Sequence, residues 1–435
     1  MLRFYSLVIS FVVWSVLLPL QLLKLLFGRS SRDEICQRMG WIRSDGPSHS
    51  KTIIMHAVSY GEMISIGPII SSLIDENPRL NIVLTTGTSD GIAAARSLQR
   101  HFPAIIIIQF MPWDRAQAVK CWLKNMRPDL LVLVENEIWP NLINTCRDLE
   151  IPVAIVNGRI YPADVARYRL IRGFMHGVFS GVSWIGVQDA REYQRFFAIG
   201  AAERILETVG NIKYDQPGQE DCEELSWLSS ALGSDDRILV AGSTHSPEEK
   251  MLLQAFKSLK LECHDLRLVL VPRKISRGHA IEKLVRQYGL RAMRCSTLKT
   301  GEGSWDVLVV DKLGWLGGLY GMADVVYIGG SLVNHGGHNL LEAAAHGKAI
   351  VVGPHMQNFQ GIVEEFSRKK ALFLLNGKNE LEESIRRLLA DAPGRTKLGK
   401  EVLAIVLENK GCSQHYSQSL QDLLATSPAT VASGS

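Results

Sequence analysis

The residues best suited to chemistry lie in a glycine-rich run in the second half of the chain. An apolar segment, residues 324–328, ends at Gly329 and Gly330, and a polar run follows from Ser331 to Glu342. Glycines between a strand and a helix leave backbone N–H groups free at the positive end of the helix dipole. This pattern predicts a phosphate site, although a glycine turn before an ordinary core helix has the same signature.

Two residues of this run could hold the sugar part of a ligand. Asn339 and Glu342 are three positions apart, so a helix that starts near residue 337 places both on one face beside the glycines. Glu342 could accept hydrogen bonds from ribose hydroxyls there. A phosphate site next to such a carboxylate indicates a nucleotide.

A serine and a glutamate three residues apart, Ser59 and Glu62, follow the first predicted strand. The spacing fits a capping box with serine at the N-cap and glutamate at N3, which explains both residues without any chemistry. The same residues lie at the carboxyl end of a strand, where open α/β sheets bind ligands. Glu62 is therefore also a candidate general base for an attacking hydroxyl.

Two further carboxylates, Glu135 and Glu137, follow the apolar run 130–134. In extended chain they point to the same face, so a metal site is one explanation. An arginine or a substrate hydroxyl could satisfy them equally, and we favour this alternative. No Asp-x-Asp motif occurs in the chain, so we expect protein cations and helix dipoles to meet the charge of a leaving group.

Two residues after strands of the second half could contact an anion. Arg273 has a planar fork of donors that suits a phosphate or a carboxylate, although a solvated loop charge is as common. His245 precedes a helix start at residues 246–249, with proline at N1 and glutamate at N3. The residues alone leave His245 open between a structural and a catalytic role.

Short β-rich runs alternate with amphipathic helical patterns along the chain, which is typical of a parallel sheet covered on both faces. The strands predicted in the first half are 51–58, 81–86, 104–109, 130–135, 153–157 and 183–187. Those in the second half are 237–241, 267–271, 307–310, 325–328 and 349–352. We therefore predict the α/β class, with two doubly wound, Rossmann-like domains that face a cleft.

The predicted domain boundaries follow from these patterns. We expect a membrane anchor at residues 1–28, an N-terminal domain at 29–207, a linker at 208–236 and a C-terminal domain at 237–424. The linker contains a polar stretch with proline and glycine. Residues 425–435 are rich in Ala, Ser and Thr, and we expect them to be a disordered tail.

The first segment predicts a membrane location. Residues 4–23 are uncharged and mostly apolar, which is long enough to cross or enter a hydrocarbon layer of ~30 Å. No small-residue cleavage site follows, so a retained anchor is favoured. The basic residues Lys24, Arg29, Arg32 and Arg38 follow it, against Arg3 before it, which favours a cytoplasmic body. Pro19 and Gln21 leave a shallow helix in the membrane surface open, and a buried core helix is a third alternative.

Composition excludes several other classes. The chain has 46% hydrophobic residues, which is ordinary for a globular protein, and a net charge of +4, which is too small to indicate a nucleic-acid partner. Its seven cysteines form no C-x-x-C pair and no zinc-like cluster, so we expect reduced thiols and no metal or other cofactor.

Six motifs, taken in order, resemble those of the 3-deoxy-D-manno-octulosonic acid (Kdo) transferases of lipopolysaccharide synthesis. They are Ser59-Tyr-Gly-Glu62, Arg127-Pro-Asp with Glu135-Asn-Glu-Ile-Trp-Pro-Asn141, Gly210-Asn-Ile-Lys-Tyr-Asp215, Gly242-Ser-Thr-His245, Val271-Pro-Arg273 and Gly329-Gly-Ser-Leu-Val-x-x-Gly-Gly-His-Asn-x-x-Glu342. Each motif is weak alone, and their common order makes the resemblance specific.

The resemblance implies an anchored, two-domain enzyme of the GT-B type at the cytoplasmic face of the bacterial inner membrane. Such an enzyme moves Kdo from CMP-Kdo to a glucosamine hydroxyl of a lipid A precursor, with inversion and without a metal. The resemblance makes Glu62 the general base and places Glu135 or Glu137 on the acceptor side. The expected acceptor contacts are Ser59, Gly61 and Arg159. The expected donor contacts are Lys213, His245, Arg273, Gly330, Ser331, Asn339 and Glu342.

The chain departs from the usual sequence of that family at three places. Asn136 stands where Thr is common, and Gly158 stands where Ala is common. Residues 312–315 read Lys-Leu-Gly-Trp where the family usually reads Thr-Met-Gly-Glu. Trp315 thus replaces an acid expected near the nucleotide, so base contacts or the geometry of the donor loop are expected to differ.

Two other functions share part of the pattern. A GT-B enzyme for another sugar nucleotide, such as a UDP-sugar transferase or epimerase, would have the glycine-rich loop but no reason to keep the motifs at 59–62 and 135–141. A catalytically inactive, membrane-attached sugar-binding protein would have no reason to keep Glu62, Arg273 and Glu342.

Overall fold

The computed structural model of the protein describes residues 1–28, 30–41, 50–216, 225, 228, 236–297 and 305–426. The chain forms two compact units, Met1–Gln216 with Asn409–Ser435, and Pro217–Glu408. In the described residues each unit contains one seven-stranded sheet, and every neighbouring pair of strands is parallel. The predicted α/β class is confirmed.

The sheet of the first unit has the strand order β3-β2-β1-β4-β5-β6-β7. Its strands are β1 (Thr52–His56), β2 (Asn81–Thr86), β3 (Ile105–Phe110), β4 (Leu130–Val134), β5 (Val153–Gly158), β6 (Trp184–Val187) and β7 (Leu206–Thr208). Alternate residues of β1 enter two separate cores, Ile54 on one face and Ile53 with Met55 on the other. The sheet is therefore buried on both faces, as its near-continuous apolar strands predict.

The sheet of the second unit has the order β10-β11-β9-β8-β12-β13-β14. Its strands are β8 (Arg237–Thr244), β9 (Leu266–Pro272), β10 (Ala292–Arg294), β11 (Val307–Val309), β12 (Val325–Ile328), β13 (Ala349–Val352) and β14 (Phe373–Leu374). In each sheet the chain order reverses between two neighbours, β1 and β4 in the first and β8 and β12 in the second. Loops after these strands are where such sheets bind ligands.

The α-helices connect and cover the strands. In the first unit they are α1 (Leu2–Leu26), α2 (Arg32–Arg38), α3 (Tyr60–Ser65), α4 (Gly67–Glu76), α5 (Ser89–His101), α6 (Ala116–Met126), α7 (Pro140–Asp148), α8 (Pro162–Leu170), α9 (Arg172–Phe179) and α10 (Ala190–Ile199). In the second unit they are α11 (Glu248–Glu262), α12 (Gly278–Gln287), α13 (Leu316–Met322), α14 (Leu341–Ala345), α15 (Gln360–Arg368), α16 (Leu381–Ala390) and α17 (Ala392–Glu408). The chain then returns to the first unit as α18 (Cys412–Thr426).

Each predicted strand has a counterpart in the structure. Three observed strands, β7, β10 and β14, were not predicted. Each of them has only two or three residues, which is too short for a periodic apolar pattern to show.

The last helix, α18, belongs to the first unit, whereas the C-terminal domain was predicted to extend to residue 424. Its apolar residues Tyr416 and Leu420 are buried in a core of the first unit. Asp215 accepts hydrogen bonds at the start of α18 from the backbone N–H groups of Gly411 and Ser413 (both 2.6 Å). A boundary drawn along the sequence misses this return, because it depends on packing between distant segments. Some of the predicted segments lie outside the described residues. They are most of the linker (217–224, 226–227 and 229–235), residues 427–435 of the tail, and Arg29.

The N-terminal helix α1 is the one helix in the described part of the chain that is long and apolar enough to cross a membrane. A π-helical turn, Val13–Leu17, interrupts its α-helical geometry just before Pro19. Proline has no backbone N–H to continue the hydrogen-bond ladder, which is a usual cause of such irregularity.

Candidate functional site

The loops after β1 and β4 bring the predicted carboxylates of the first unit together. These strands are neighbours in register, with His56 beside Leu133. Ser59 and Glu62 follow β1, and Glu135 and Glu137 follow β4. Their charges interact, since both glutamates after β4 raise the pKa of Glu62.

Glu62 forms the capping box that its spacing predicts. The Ser59 hydroxyl accepts a hydrogen bond from the Glu62 backbone N–H (3.2 Å) and donates one to Oε1 (2.9 Å). The backbone N–H groups of Val58 (2.9 Å) and Ser59 (3.4 Å) donate to Oε2. A carboxylate has about four acceptor positions, so Oε1 keeps one for a further donor.

The environment of Glu62 suits a base as well as a cap. Burial raises the pKa of its carboxyl, and the charge of Glu135 raises it further. The hydrogen bonds from Val58 and Ser59 act in the opposite direction. A general base works best with a pKa near the working pH. The cap fixes the carboxylate in position while its surroundings increase its affinity for a proton.

Glu135 is buried and paired with a lysine. The Lys213 Nζ lies 2.9 Å from Glu135 Oε1, and the Asn157 Nδ2 donates to the same oxygen (3.3 Å). Glu135 and Asn157 have left-handed backbone conformations, with φ of 57° and 56°, that are uncommon for residues other than glycine. Lys213 was predicted to contact the donor together with His245 and Arg273. Within the first unit its ammonium group forms an ion pair with Glu135.

Glu137 is oriented by two aromatic side chains. The Trp139 indole N–H donates to Glu137 Oε2 (2.8 Å), and the His56 Nε2 lies 3.6 Å from the same oxygen. His56 is 1% exposed, and its Nδ1 lies 3.1 Å from the carbonyl oxygen of Thr85. His56 had no predicted role, although a histidine at the end of a mostly apolar strand beside the sheet reversal is a usable signal.

Arg159 and Tyr161 complete this group of polar side chains. Arg159 is 8% exposed, and its guanidinium carbon lies 4.6 Å from the centre of the Tyr161 ring. Burial raises the pKa of Tyr161, and the charges of Arg159, Glu135, Lys213 and Glu62 all act on it. We name Glu62, Glu135, Glu137, Arg159 and Lys213 the carboxylate cluster. Gly61 lies beside it with open space where a side chain would begin.

The predicted phosphate site after β12 is occupied by a side chain of the protein itself. The Glu248 carboxylate accepts hydrogen bonds from the backbone N–H groups of Gly330 (2.8 Å), Ser331 (3.1 Å) and Leu332 (3.1 Å), and from the Tyr327 hydroxyl (2.6 Å). Glu248 has no exposed surface. The prediction that Gly330 and Ser331 offer free N–H groups to a phosphate is therefore wrong, because a buried carboxylate already fills that place.

The Ser331 side chain is also used inside the protein. Its hydroxyl donates to the Ile328 carbonyl (2.5 Å) and accepts the Gly353 backbone N–H (2.8 Å), and the residue is fully buried. These bonds join the end of β12 to the loop after β13. The expected contact between Ser331 and a ligand is not supported, and the residue instead fixes the glycine-rich loop.

Three histidine rings and one arginine lie next to this loop. The His245 ring stacks on that of His335 at 4.2 Å, and its Nε2 lies 2.8 Å from the Nε2 of His338. Burial, the neighbouring imidazoles and Arg273 lower the pKa of His338 to about 4. Burial and His335 lower the pKa of His245 as well. The Arg273 side chain is exposed and forms no ion pair within the described part of the chain, so its positive charge is available to an anion.

His335 and His338 had no predicted role. Their signal was present, because both flank Gly336 and Gly337 inside the run that drew attention first. A Cβ added at Gly330 would lie 3.0 Å from the His338 ring, so the glycine lets the loop backbone approach that histidine. His335 and His338 are thus part of the glycine-rich loop that the sequence marked.

Asn339 and Glu342 are hydrogen-bonded to each other. The Asn339 Nδ2 donates to Glu342 Oε1 (3.3 Å), and its Oδ1 accepts the Leu341 backbone N–H at the start of α14 (3.0 Å). Burial raises the pKa of Glu342. A half-buried carboxylate that accepts a hydrogen bond from a neutral amide suits further hydrogen bonds from hydroxyl groups.

Trp315 lies in the interior of the second unit and is 3% exposed. The Lys312 ammonium lies 4.7 Å from the centre of its ring. Trp315, which replaces the usual acid, therefore forms a cation–π contact with Lys312. Lys312 therefore adds a cation to a loop of the second unit.

The described residues contain no group of three His, Cys, Asp or Glu that could hold a metal ion. Glu135 and Glu137, which the sequence left open as metal ligands, are engaged by Lys213 and Trp139 instead.

Comparison with known proteins identifies the family. A family model described as 3-deoxy-D-manno-octulosonic-acid transferase matches residues 33–216. The 3-deoxy-D-manno-octulosonic acid transferase of Haemophilus influenzae is 29% identical over 90% of this chain and 92% of its own length. The transferase of the same description from Rickettsia felis is 30% identical over 79% of this chain and 73% of its own length. The chain belongs to the Kdo transferase family. It is therefore a glycosyltransferase, as the motifs predict.

A solved structure shows that the fold is shared more widely than the family. The UDP-GlcNAc 2-epimerase of Neisseria meningitidis, bound to UDP-GlcNAc, matches with a TM-score of 0.57 over 86% of this chain and 99% of that chain. The two sequences are 11% identical, so the likeness shows the fold alone. The predicted GT-B type is thus confirmed for this Kdo transferase.

Proposed function

We propose that the chain transfers Kdo from CMP-Kdo to a glucosamine hydroxyl of a lipid A precursor, with inversion and without a metal ion, at the cytoplasmic face of the bacterial inner membrane. Membership of the Kdo transferase family supports the sugar that is moved. The observation that carries the mechanism is Glu62, a fixed carboxylate with a raised pKa and a free acceptor position on Oε1.

In the proposed reaction Glu62 removes the proton of the acceptor hydroxyl as that oxygen attacks the anomeric carbon of Kdo. The new bond joins this oxygen to the anomeric carbon, and the bond from that carbon to the phosphate oxygen of CMP breaks. The electron pair of the broken bond leaves with CMP. A single displacement of this kind inverts the carbon and needs no protein nucleophile.

The second unit would hold the donor. Arg273 offers a forked donor to the CMP phosphate or to the carboxylate of Kdo. His245 and His338 are neutral before an anion arrives, and a nearby anion would raise the pKa of the pair and let it take up a proton. We assign the ribose hydroxyls to Glu342, oriented by Asn339. These groups would stabilise the negative charge of the leaving group.

The carboxylate cluster would bind the acceptor in the first unit. Glu137, fixed by Trp139, would accept a sugar hydroxyl, and Arg159 would meet an anionic or hydroxyl group of the lipid. Ser59 and Gly61 would line the approach to Glu62. We assign Glu135 and Lys213 a different task, because the two form an ion pair with each other and the charge of Glu135 adds to the effect of burial in raising the pKa of Glu62.

The test is mass spectrometry of a transfer reaction. The detergent-solubilised full chain is incubated with a tetraacylated lipid A precursor, CMP-Kdo made in situ, and a chelator of divalent ions. We expect the lipid to gain mass in increments of one Kdo residue, and the number of increments gives the number of sugars added.

The matched control replaces CMP-Kdo with UDP-GlcNAc and should leave the lipid unchanged. Absence of a Kdo increment, with the protein folded and both substrates intact, would contradict the proposal. A mass increment from the UDP-sugar would instead support a transferase for another sugar nucleotide.

A further inference from the structure

The N-terminal helix α1 contacts the body of the first unit along most of its length. Near its start the Tyr5 hydroxyl donates to Asp114 Oδ2 (2.9 Å), and the Ser6 hydroxyl donates to Asn141 Oδ1 (2.5 Å). Near its end the Gln21 amide donates to the Ser30 hydroxyl (2.7 Å). The contacts extend from Tyr5 to Gln21, roughly 24 Å of helix at the usual rise per residue.

Apolar and aromatic contacts fill the space between these polar ones. Val13 is 1% exposed and forms a small core with Ile35 and Met39. The Arg115 guanidinium carbon lies 5.0 Å from the centre of the Trp14 ring. Residues 9, 13, 17 and 21 are spaced by four, so these contacts lie on one face of the helix. The rest of the first unit therefore contacts α1 from Tyr5 to Gln21.

One of these partners is part of the fold of the body. The Asp114 carboxylate also accepts the backbone N–H groups of Asn141 (3.0 Å) and Leu142 (2.8 Å), which are free donors at the start of α7. Asp114 thus caps α7 and holds α1 with one carboxylate. A helix that crossed a bilayer at this position would carry Asp114 and Arg115 into the hydrocarbon, where charged groups are costly.

The opposite face of α1 is apolar and exposed. Phe4, Leu7 and Phe11 are each more than 70% exposed and follow a helical spacing of three and four residues. After Pro19 the exposed face continues with Leu23 and Leu26. The surfaces of soluble monomeric proteins rarely show an apolar strip of this size unless it binds a partner or a membrane.

Basic residues lie around this strip. Arg3 and Lys24 are exposed near its two ends, and α1 itself contains no acidic residue. The end of α8 adds Arg167, Arg169 and Leu170, and the start of α9 adds Arg172, all exposed, with Leu170 at 88%. We name residues 167–172 the basic corner. The ring of Phe174, on α9, lies 6.0 Å from that of Tyr5, so the basic corner adjoins α1.

A pocket of about 450 Å³ lies between the first half of α1 and α7. Its lining combines the apolar Leu2 and Leu7 with Arg3, Ser6, Asn144 and Asp148. The Ser6 hydroxyl and the Asn144 amide already donate hydrogen bonds within the protein, so the pocket is not a ready site for a phosphate.

We infer that α1 does not cross the membrane but lies in the plane of an anionic phospholipid surface, together with the basic corner. Such helices bury an apolar face in the head-group layer and use flanking cations to bind anionic lipids. The chain before Tyr5 then stays on the same side of the membrane as the rest of the protein. This inference specifies the membrane attachment of the proposed function, and its test needs no catalytic activity.

The decisive experiment maps both ends of the full chain in sealed membrane vesicles of known orientation. One short epitope is added before Met1 in one version and after Ser435 in another, and an externally added protease is applied. We expect both epitopes to be cleaved in one vesicle orientation and both to be protected in the other. Cleavage of the two epitopes in opposite orientations would show a crossing helix and overturn the inference.

A second experiment tests the basic corner with purified full chain bound to vesicles. The double variant R169E/L170E should be released by high salt from phosphatidylglycerol-containing vesicles about tenfold more than the wild type. Leu261→Glu, at an exposed leucine of α11 in the second unit, is the matched control and should behave as the wild type. Equal release of the double variant and the control would remove the basic corner from the membrane contact.

Discussion

The Glu248 carboxylate lies 2.8 Å from the backbone nitrogen of Gly330, although the two residues are 82 positions apart in the chain. This contact places a negative charge of the protein where the sequence predicted the phosphate of a ligand. The glycine-rich loop is therefore shaped by an internal anion. The groups left for a ligand are the side chains around the loop, namely His245, His338, Arg273 and Glu342.

Replacing this carboxylate tests the role of the internal anion. In Glu248→Gln the amide nitrogen replaces one of two oxygens that both accept hydrogen bonds, and it cannot accept those of the donors that face it. We therefore expect the free energy of unfolding to fall by about 3 kcal/mol. CMP affinity should fall with it. Urea unfolding and calorimetric titration measure the two effects. Glu262→Gln, at the exposed end of the same helix, is the control and should change stability by less than about 0.5 kcal/mol. A stable Glu248→Gln variant with full CMP affinity would contradict this assignment.

Glu342 should show the opposite combination of effects. Its pKa is raised in the folded protein, so its ionised form disfavours folding; this cost declines as the pH falls through the raised pKa and is gone below the ordinary pKa of a glutamate. At neutral pH, Glu342→Gln should therefore be at least as stable as the wild type while its CMP affinity falls about tenfold through loss of the charged acceptor. The exposed Glu383→Gln in the same unit is the control for both measurements. Unchanged CMP affinity in Glu342→Gln would remove this residue from the nucleotide site.

The pH dependence of the reaction follows from the charge next to Glu62. A base must be deprotonated, so kcat/KM should decline as the pH falls through the Glu62 pKa, which burial and Glu135 raise above its ordinary value. Glu135→Gln removes the largest neighbouring charge, lowers this pKa and should move the acidic limb of the profile to lower pH. Glu137→Gln should move it less, because Glu137 has the smallest of these effects on Glu62. A limb that stays in place in Glu135→Gln would show that another group titrates.

The sequence predicted those parts of the protein that local spacing determines. The strands show their apolar runs directly, and the capping box of Ser59 and Glu62 needs only residues three apart. The parallel order then places loops after β1 and β4 together, which a general rule for such sheets anticipates.

The sequence could not predict partners that are distant along the chain. Glu248 belongs locally to a helix start, and only the tertiary fold brings its carboxylate to Tyr327 and to the loop after β12. The same holds for Lys213 and Glu135, which are 78 positions apart. His56 and His338 differ from these, because their positions beside a strand end and a glycine pair were visible in the sequence and were not used.

The most direct test of the account is the rate of Kdo transfer by Glu62→Gln, measured by mass spectrometry beside calorimetric CMP binding. Glu34→Gln is the matched control, since Ser31 and Glu34 have the same spacing at the start of α2. We expect Glu62→Gln to transfer Kdo about 10³-fold more slowly, with CMP affinity unchanged, because a general base supplies a rate factor of that order. Glu34→Gln should transfer at the wild-type rate. Wild-type turnover by Glu62→Gln would leave that residue as a helix cap alone and contradict the proposed mechanism.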